Sequence, residues 1–301
     1  MSADRPTVGI LSIGEMGQGI GALLARHGLE VVTSLEGRSG RTRGLAEAAG
    51  IRDVGSDAAL VEAADLLLSV IVPSEARALA ERLAPALASV ATPPVVVDCN
   101  AVAPATSAAV GAIVEAAGAP FVDGGIIGPP PVPDSSRTRL YVSGGAVETV
   151  AALSDFGLDV RVVSERVGDA SALKMCYAAL NKGTAALMTQ LLVAAARLGV
   201  AEALREELAT SQAEPLQRMR RLVPDAVPKA FRWTGEMDEI AATFDAVGVT
   251  GQSFAGAART FAAVAATPLG GLRVEAFRER NLDLERLVEE LAATLPPSPG
   301  D

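Results

Sequence analysis

Residues 168–199 constrain this chain more than any other stretch, because they hold one uninterrupted helical pattern bounded by residues suited to start and stop it. Asp169 is a natural N-cap and Gly199 a natural stop. The roughly 30 residues between them predict a rod of about 45 Å, at about 1.5 Å per residue. Apolar residues occur on almost every side, the mark of a helix buried against several neighbours. Its polar residues are therefore informative. Ser171, Lys174 and Asn181 fall at i, i+3 and i+10 and share one face, with Tyr177 between them. An ammonium on an otherwise apolar rod is costly unless it has partners or a task. Two readings stand on pattern alone: a lysine that snorkels to solvent, or a proton-transfer lysine facing a cleft between two domains. Lys182, the next lysine, points about 80° away.

The first half of the chain favours the second reading. Thr7 to Ile13 is a short apolar run that predicts a buried parallel strand, followed at once by Gly14, Glu15, Met16 and Gly17 and a helical pattern through Ala25. Strand, glycine turn and helix together make a pyrophosphate site, since glycine lets the backbone approach and the helix N-terminus supplies free N–H groups. In the register set by the strand the motif is Ser12-x-Gly14-x-x-Gly17, with serine at the first glycine.

Leu29 to Leu35 predicts the second strand, whose end selects the cofactor. Glu36 lies nineteen positions after Gly17, where an acid grips a ribose 2′-hydroxyl. The segment Gly37 to Arg43 instead resembles a 2′-phosphate loop, with Arg38, Ser39 and Arg41 foremost and Gly37 and Gly40 flexible. NADP is therefore expected over NAD.

Further on, helices are expected over Thr42 to Ala49 and Ala58 to Ala64, and a strand over Asp65 to Val72 that ends at Pro73, with Ser74 capping the next helix. Pro94 to Asp98 predicts a strand with Asn100 at its carboxyl edge, and a helix over Ala105 to Ala117 returns the chain to a strand at Phe121 to Asp123. The cluster Gly124 to Pro131 is either a stiff turn or a wall of the substrate site. Leu140 to Ser143 and Asp159 to Val163 complete the sheet around a helix near Ala146 to Phe156.

Beyond Gly199 every periodic segment is helical: Ala201 to Ser211, Glu214 to Leu222, Lys229 to Val247, Gly251 to Ala266 and Leu272 to Leu295, with a disordered tail from Pro296 to Asp301. Arg232, Trp233 and Glu236 place the only tryptophan beside charged groups, read as an amphipathic helix or as substrate contacts. With 301 residues, two domains are expected, the second all α.

A net charge of −10 gives no footprint for nucleic acid or an anionic membrane. The N-terminus lacks a signal-peptide pattern, so a cytoplasmic protein is expected. Cys99 and Cys176 have no ligand spacing and read as small buried hydrophobes. The single histidine, His27, suits a helix C-terminus, and with it alone neither a histidine-based metal site nor a Ser or Cys triad is expected.

Taken together, Val8 to Gly17, Asp98 to Val102 and Leu173-Lys174 resemble the motifs of the β-hydroxyacid dehydrogenase and 6-phosphogluconate dehydrogenase superfamily. More closely, Gly14 to Gly17, Asp123 to Pro130, Ala172 to Tyr177 and Arg232-Trp233-x-Gly-Glu-Met resemble the subgroup whose C-terminal domain has no assigned function. The resemblance spans essentially the whole chain. It implies an α/β, mostly parallel Rossmann-like domain (residues 1–166), a long connecting helix (167–199) and an all-α dimerisation and substrate domain (200–301). It also implies Lys174 as the general acid or base, with Asn181 standing in for the family's asparagine, whose position is Ala178 here. The family's substrate-carboxylate segment has become Ile127, Gly128 and Pro129, and its later Lys-Asp pair Gly235-Glu236.

On these grounds the cofactor site is expected to comprise Ser12, Gly14, Glu15, Met16, Gly17, Arg38, Ser39, Arg41, Val72, Pro73 and Asn100. The substrate site is expected to comprise Gly125, Ile127, Gly128, Tyr177, Trp233 and Glu236. The function expected is NADP-dependent hydride transfer to or from a small hydroxy-acid-like substrate by a homodimer. Loss of the carboxylate-binding serine raises reduction of a C=N bond as the alternative, and a non-catalytic NADP-binding dimer is the alternative from another class.

Overall fold

The order in which the strands pair follows from their apolar runs. In the computed structural model, which describes residues 5–133 and 137–296, β1 (Val8–Leu11), β2 (Val31–Thr33), β4 (Leu66–Ser69), β5 (Val95–Asp98) and β6 (Phe121–Ile127) run parallel. With β3 (Arg52–Asp53), β7 (Arg139–Ser143) and β8 (Asp159–Ser164) they form one eight-stranded sheet of order β3-β2-β1-β4-β5-β6-β7-β8. Among the described strand pairs of this sheet, only β6–β7 is antiparallel. β3 has no counterpart in the sequence reading, because its two residues are exposed and carry no apolar alternation.

Both sheet faces are covered. Ile10, Leu66, Leu68, Val122 and Leu140 pack on one side with α1 (Glu15–Arg26), α2 (Gly40–Ala48) and α6 (Val147–Ala151). Leu67, Val96 and Phe121 pack on the other with α3 (Asp57–Ala63), α4 (Ala76–Ser89) and α5 (Pro104–Ala116). Adjacent strand residues point to opposite faces, so a strand buried on both must read as a continuous apolar run. Ser74 is no N-cap; it lies inside a 3₁₀ turn, Pro73–Glu75, that leads into α4.

Two compact units divide the chain, residues 1–175 and 176–301, and the division falls inside α7 (Asp169–Arg197). Gly199, in the left-handed region at φ 74°, ends that helix as expected: its N–H donates to Ala196 O and that of Val200 to Ala195 O. The second unit is helical, with α8 (Ala201–Ser211), α9 (Ala213–Ala226), α10 (Ala230–Asp245), α11 (Gln252–Ala265), α12 (Val274–Glu279) and α13 (Leu284–Thr294). Pro224 does not stop α9, and the long final helix expected from Leu272 is two, separated near Asn281 at φ 44°. Residues 297–301, assigned to a disordered tail, lie outside the described residues. Among the described residues no helix is long and apolar enough to cross a membrane.

Two further expectations are corrected at α7 and in the strand before it. β6 does not end at Asp123 but continues through Gly124, Gly125, Ile126 and Ile127, so the first half of the glycine cluster is strand. Asp169 is the first helical residue and does not cap its helix. Ser164 and Arg166 hold its carboxylate, at 2.6 Å each. Those contacts, Arg166 first, keep its carboxyl below the usual carboxylate range.

The capping role belongs to Asp123, wholly buried on β6. Its carboxylate accepts from Ser107 Oγ (2.8 Å), Ser143 Oγ (2.9 Å), Ser171 Oγ (2.5 Å) and the N–H groups of Gly168 (3.1 Å) and Ser171 (2.9 Å). Ser143 Oγ in turn accepts from the N–H of Ala170 at 3.0 Å. Two orphan donors of the α7 N-terminus are thereby satisfied, and a negative charge sits where the helix dipole favours it. Asp123→Ala should therefore cost about 3–5 kcal/mol, the size of effect seen when a buried charged network is broken. Urea unfolding followed by a probe in the first unit measures this, and a loss below about 1 kcal/mol would show that the network is not stabilising.

Candidate functional site

The carboxyl ends of β1, β2, β4, β5 and β6 lie along one edge of the sheet, the edge where open α/β folds take their ligands. After β1 the chain turns through Ser12, which has φ 75°. That left-handed conformation is the reason glycine is favoured at the first motif position, and a serine there stores roughly 1 kcal/mol of strain. It also fixes the register as Ser12-x-Gly14-x-x-Gly17. A Cβ on Gly17 would meet the Ser12 carbonyl oxygen at 2.4 Å, so only glycine lets α1 start this close to the turn. At Gly14 a Cβ would meet nothing within 4 Å, and this N-cap has no side chain to receive the N–H groups of Glu15, Met16 and Gly17. Open space, uncapped N–H groups and a helix dipole at one point fit a pyrophosphate.

After β2, the expected phosphate loop divides in two. Arg43 is structural: it donates to Leu35 O at 2.7 Å and lies 3.8 Å from Asp53. Asp53 is held below the usual carboxylate range first by the N–H of Gly55, with the N–H of Leu35 and Arg43 adding to it. Ser39 is the N-cap of α2, accepting from the N–H of Thr42 at 3.3 Å, and Gly40 and Arg41 lie in the first helical turn. Gly40 is thus not a flexible loop residue. Glu36, Gly37 and Arg38 remain exposed in the loop, with Gly37 at φ 67°.

At the ends of β4 and β5, Val72 is exposed and Pro73 buried. Asn100 is buried; its Oδ1 accepts from the N–H of Ile71 at 2.6 Å and its Nδ2 donates to Ser69 Oγ at 3.0 Å. Its amide therefore ties the two strand ends and sets the path of residues 70–73. Cys99 is buried as expected, and burial, helped by the carboxylates of Asp98 and Asp123, pushes its thiol far up, so it stays protonated. Cys176 is exposed, contrary to expectation. A hollow of about 560 Å3 lined by Arg52, Asp53, Val54 and Gly55 lies beside β3 and includes none of the expected residues.

Along β6, Asp123, Gly125 and Ile127 share one face, and α7 begins against it. A Cβ on Gly125 would meet Ala170 O at 2.9 Å and Lys174 Cβ at 3.0 Å, so glycine is what lets helix and strand come together. Lys174 is half-buried and its Nζ donates to the carbonyl oxygen of Ile126. Ile127 is buried and Gly128, at φ 124°, turns the chain; a Cβ there would meet Arg137 O at 2.3 Å. Ser171 belongs to the Asp123 network and not to an open polar stripe.

Asn181, Trp233 and Glu236 lie in the second unit, as does the exposed Tyr177. Asn181 Nδ2 reaches Tyr177 O, and its Oδ1 accepts from Arg218, both at 3.5 Å. Glu236 is buried in an ion pair with Lys182, and Arg232 approaches it at 3.3 Å. Lys182 also lies 5.6 Å above the ring of Trp233, which packs edge-on against Phe261. The sequence reading had no partner for Lys182. Its signal was available: a lysine on an apolar helix and a glutamate beside a tryptophan imply each other.

A doubly covered parallel sheet with an uncapped glycine turn at its ligand edge defines an NAD(P)-binding oxidoreductase fold. Residues 7–156 match the NAD binding domain of 6-phosphogluconate dehydrogenase, and residues 195–264 match a domain of unknown function, DUF1932. The chain belongs to this 6-phosphogluconate dehydrogenase-like family of NAD(P)-dependent dehydrogenases and reductases, in the subgroup with that C-terminal domain. Among solved structures it is similar to a conserved hypothetical protein from Sinorhizobium meliloti, with 27% identity, 97% of each chain covered and a TM-score of 0.66. It shares its fold with the 3-hydroxyisobutyrate dehydrogenase of Mycobacterium tuberculosis, at 16% identity over 92% of this chain and 99% of that one, TM-score 0.68. The Streptomyces aurantiacus imine reductase also has this fold, at 18% identity over 92% and 99% of the two chains, TM-score 0.54.

The Lys182–Glu236 pair lends itself to a direct test. Glu236→Gln leaves a buried ammonium without its counter-ion and should destabilise the second unit by about 3–5 kcal/mol. Chemical denaturation followed by the fluorescence of Trp233 reports on that unit, and a change under about 1 kcal/mol would mean that the pair is solvated in solution.

Proposed function

We propose that this protein is an NADP-dependent oxidoreductase that moves a hydride between nicotinamide and a small carbonyl or hydroxy-acid-like substrate, with Lys174 as the proton donor and acceptor. The observation that carries the reading is the placement of Lys174: a half-buried ammonium at the ligand edge of the sheet, oriented by the Ile126 carbonyl. The bound cofactor supplies the hydride chemistry. The turn from Ser12 to Gly17 would hold its pyrophosphate on the N–H groups of α1, Arg38, Ser39 and Arg41 would hold the 2′-phosphate, and Val72, Pro73 and Asn100 would shape the nicotinamide side. In reduction Lys174 Nζ gives a proton to the substrate oxygen as charge develops there; in oxidation it takes that proton back. In the first unit Gly125, Ile127 and Gly128 border the substrate.

Ile127 favours a second reading. A buried aliphatic side chain stands where the resembling family has a carboxylate-binding serine, which suits an uncharged C=N substrate. NADPH consumption against keto acids, aldehydes, ketones and cyclic imines separates the two, and NADPH binding without turnover of any of them defeats both. Lys174→Ala should lower turnover by about two to four orders of magnitude while leaving NADPH affinity nearly intact. Turnover within a few-fold of the parent would remove Lys174 from the chemistry.

A homodimer is part of the same proposal. Tyr177, Leu180 and Leu187 recur on one side of α7 and are exposed at 47%, 60% and 61% in the single chain, with Leu198 at the helix end. An apolar stripe of this kind fits a second copy of the chain. Light scattering at micromolar concentration should give twice the chain mass of 30.7 kDa, and a fully active monomer contradicts the proposal.

A further inference from the structure

Beyond the end of β2 lies a cavity of about 270 Å3 lined by Ser34, Glu36, Gly37, Arg38, Asp57 and Arg82. Arg82 comes from the middle of α4, far along the chain from Gly37 to Arg43, the segment expected to hold the phosphate. Its Nε donates to Asp57 Oδ2 at 2.8 Å, from the first turn of α3. A guanidinium has five N–H donors, and this one bond uses the single Nε donor. Among the described residues the Nη groups of Arg82 have no partner, and neither has the Arg38 side chain. Two guanidinium groups, one from the loop and one from a different helix, therefore line one small cavity where a doubly wound sheet receives the adenosine ribose.

We propose that Arg82 is a specificity-determining residue that closes with Arg38 on a 2′-phosphomonoester. The proposal rests on the NADP reading and deepens it. Asp57 fixes the Arg82 fork by its Nε edge and leaves the Nη edge for phosphate oxygens, the geometry in which arginine binds phosphate best. Arg82 also resolves the conflict at the loop. Glu36 opposes Arg38 alone and Asp57 balances Arg82, so the second guanidinium contributes its Nη donors rather than net charge, and those donors offset an exposed, solvent-screened Glu36.

The test uses the intact protein and four probes: 2′,5′-ADP against 5′-AMP, and NADPH against NADH, with dissociation constants measured by calorimetry or nucleotide fluorescence. Arg82→Ala should weaken 2′,5′-ADP and NADPH by about ten- to a hundredfold, the range for one charge-assisted contact, and leave 5′-AMP and NADH unchanged. Arg82→Lys, which keeps the charge and loses the fork, should recover only part of that loss. Arg82 lies on the exposed side of α4 in a half-exposed ion pair, so the variants should fold, and an unchanged melting curve checks this. Unchanged binding of 2′,5′-ADP by Arg82→Ala overturns the proposal and leaves a surface ion pair; equal losses for all four probes overturn it in favour of a structural role. A parent protein that binds NADPH and NADH equally defeats the NADP reading and this inference together. A parent that prefers NADPH and keeps the full preference in Arg82→Ala defeats this inference alone.

Discussion

The carboxylate of Asp123 draws donors from α5, β7, the turn at Gly168 and α7, and the position of Lys174 depends on it. A buried carboxylate costs several kcal/mol unless its oxygens are fully engaged, and here five donors engage them. The antiparallel turn of β7 is part of the same arrangement. It sets Ser143 directly opposite Asp123, so both polar groups point at one spot on one face, where the N-terminus of α7 arrives. Lys174 then follows at one helical turn from Ser171, beside the Ile126 carbonyl on the strand that carries Asp123.

Features that rest on local chemistry were legible in the sequence. The parallel sheet was readable because strands covered on both faces must be continuous apolar runs, as Leu66 to Leu68 are. The register of the glycine turn was readable because Ser12 precedes Gly14 and Gly17 at the right spacing, although the serine itself broke the usual pattern. Where the reading failed, a distant partner had changed the meaning of a residue. Gly124 and Gly125 looked like turn residues; they are strand, and glycine is required at Gly125 because α7 approaches within contact of its backbone. Asp169 looked like a cap, but Asp123, 46 positions earlier, already occupies the place of one. Lys182 and Glu236 were each visible as a charge in an apolar setting, and placing their helices side by side is what joins them.

The ligand edge shows the same division between local and distant causes. Ser12 and Gly17 are fixed by the backbone of one turn, so sequence spacing reveals them. Asn100 stands where a nicotinamide contact was expected, yet its amide links Ser69 and Ile71 and so governs how β4 leaves the sheet. Arg82 is farther still from any motif, and only the packing of α3 and α4 brings it beside the β2 loop.

One face of β6 now separates what must stay from what is free to change. Asp123 and Gly125 set the start and the approach of α7, and replacing either would displace the helix that carries Lys174. Ile127, two residues on and on the same face, takes no part in that network. A hydroxyl at that position can therefore be lost without moving the ammonium. The serine of the resembling family is replaced there while the clamp, the close approach and the lysine remain, so under the proposed function proton transfer and substrate recognition are separable on one strand.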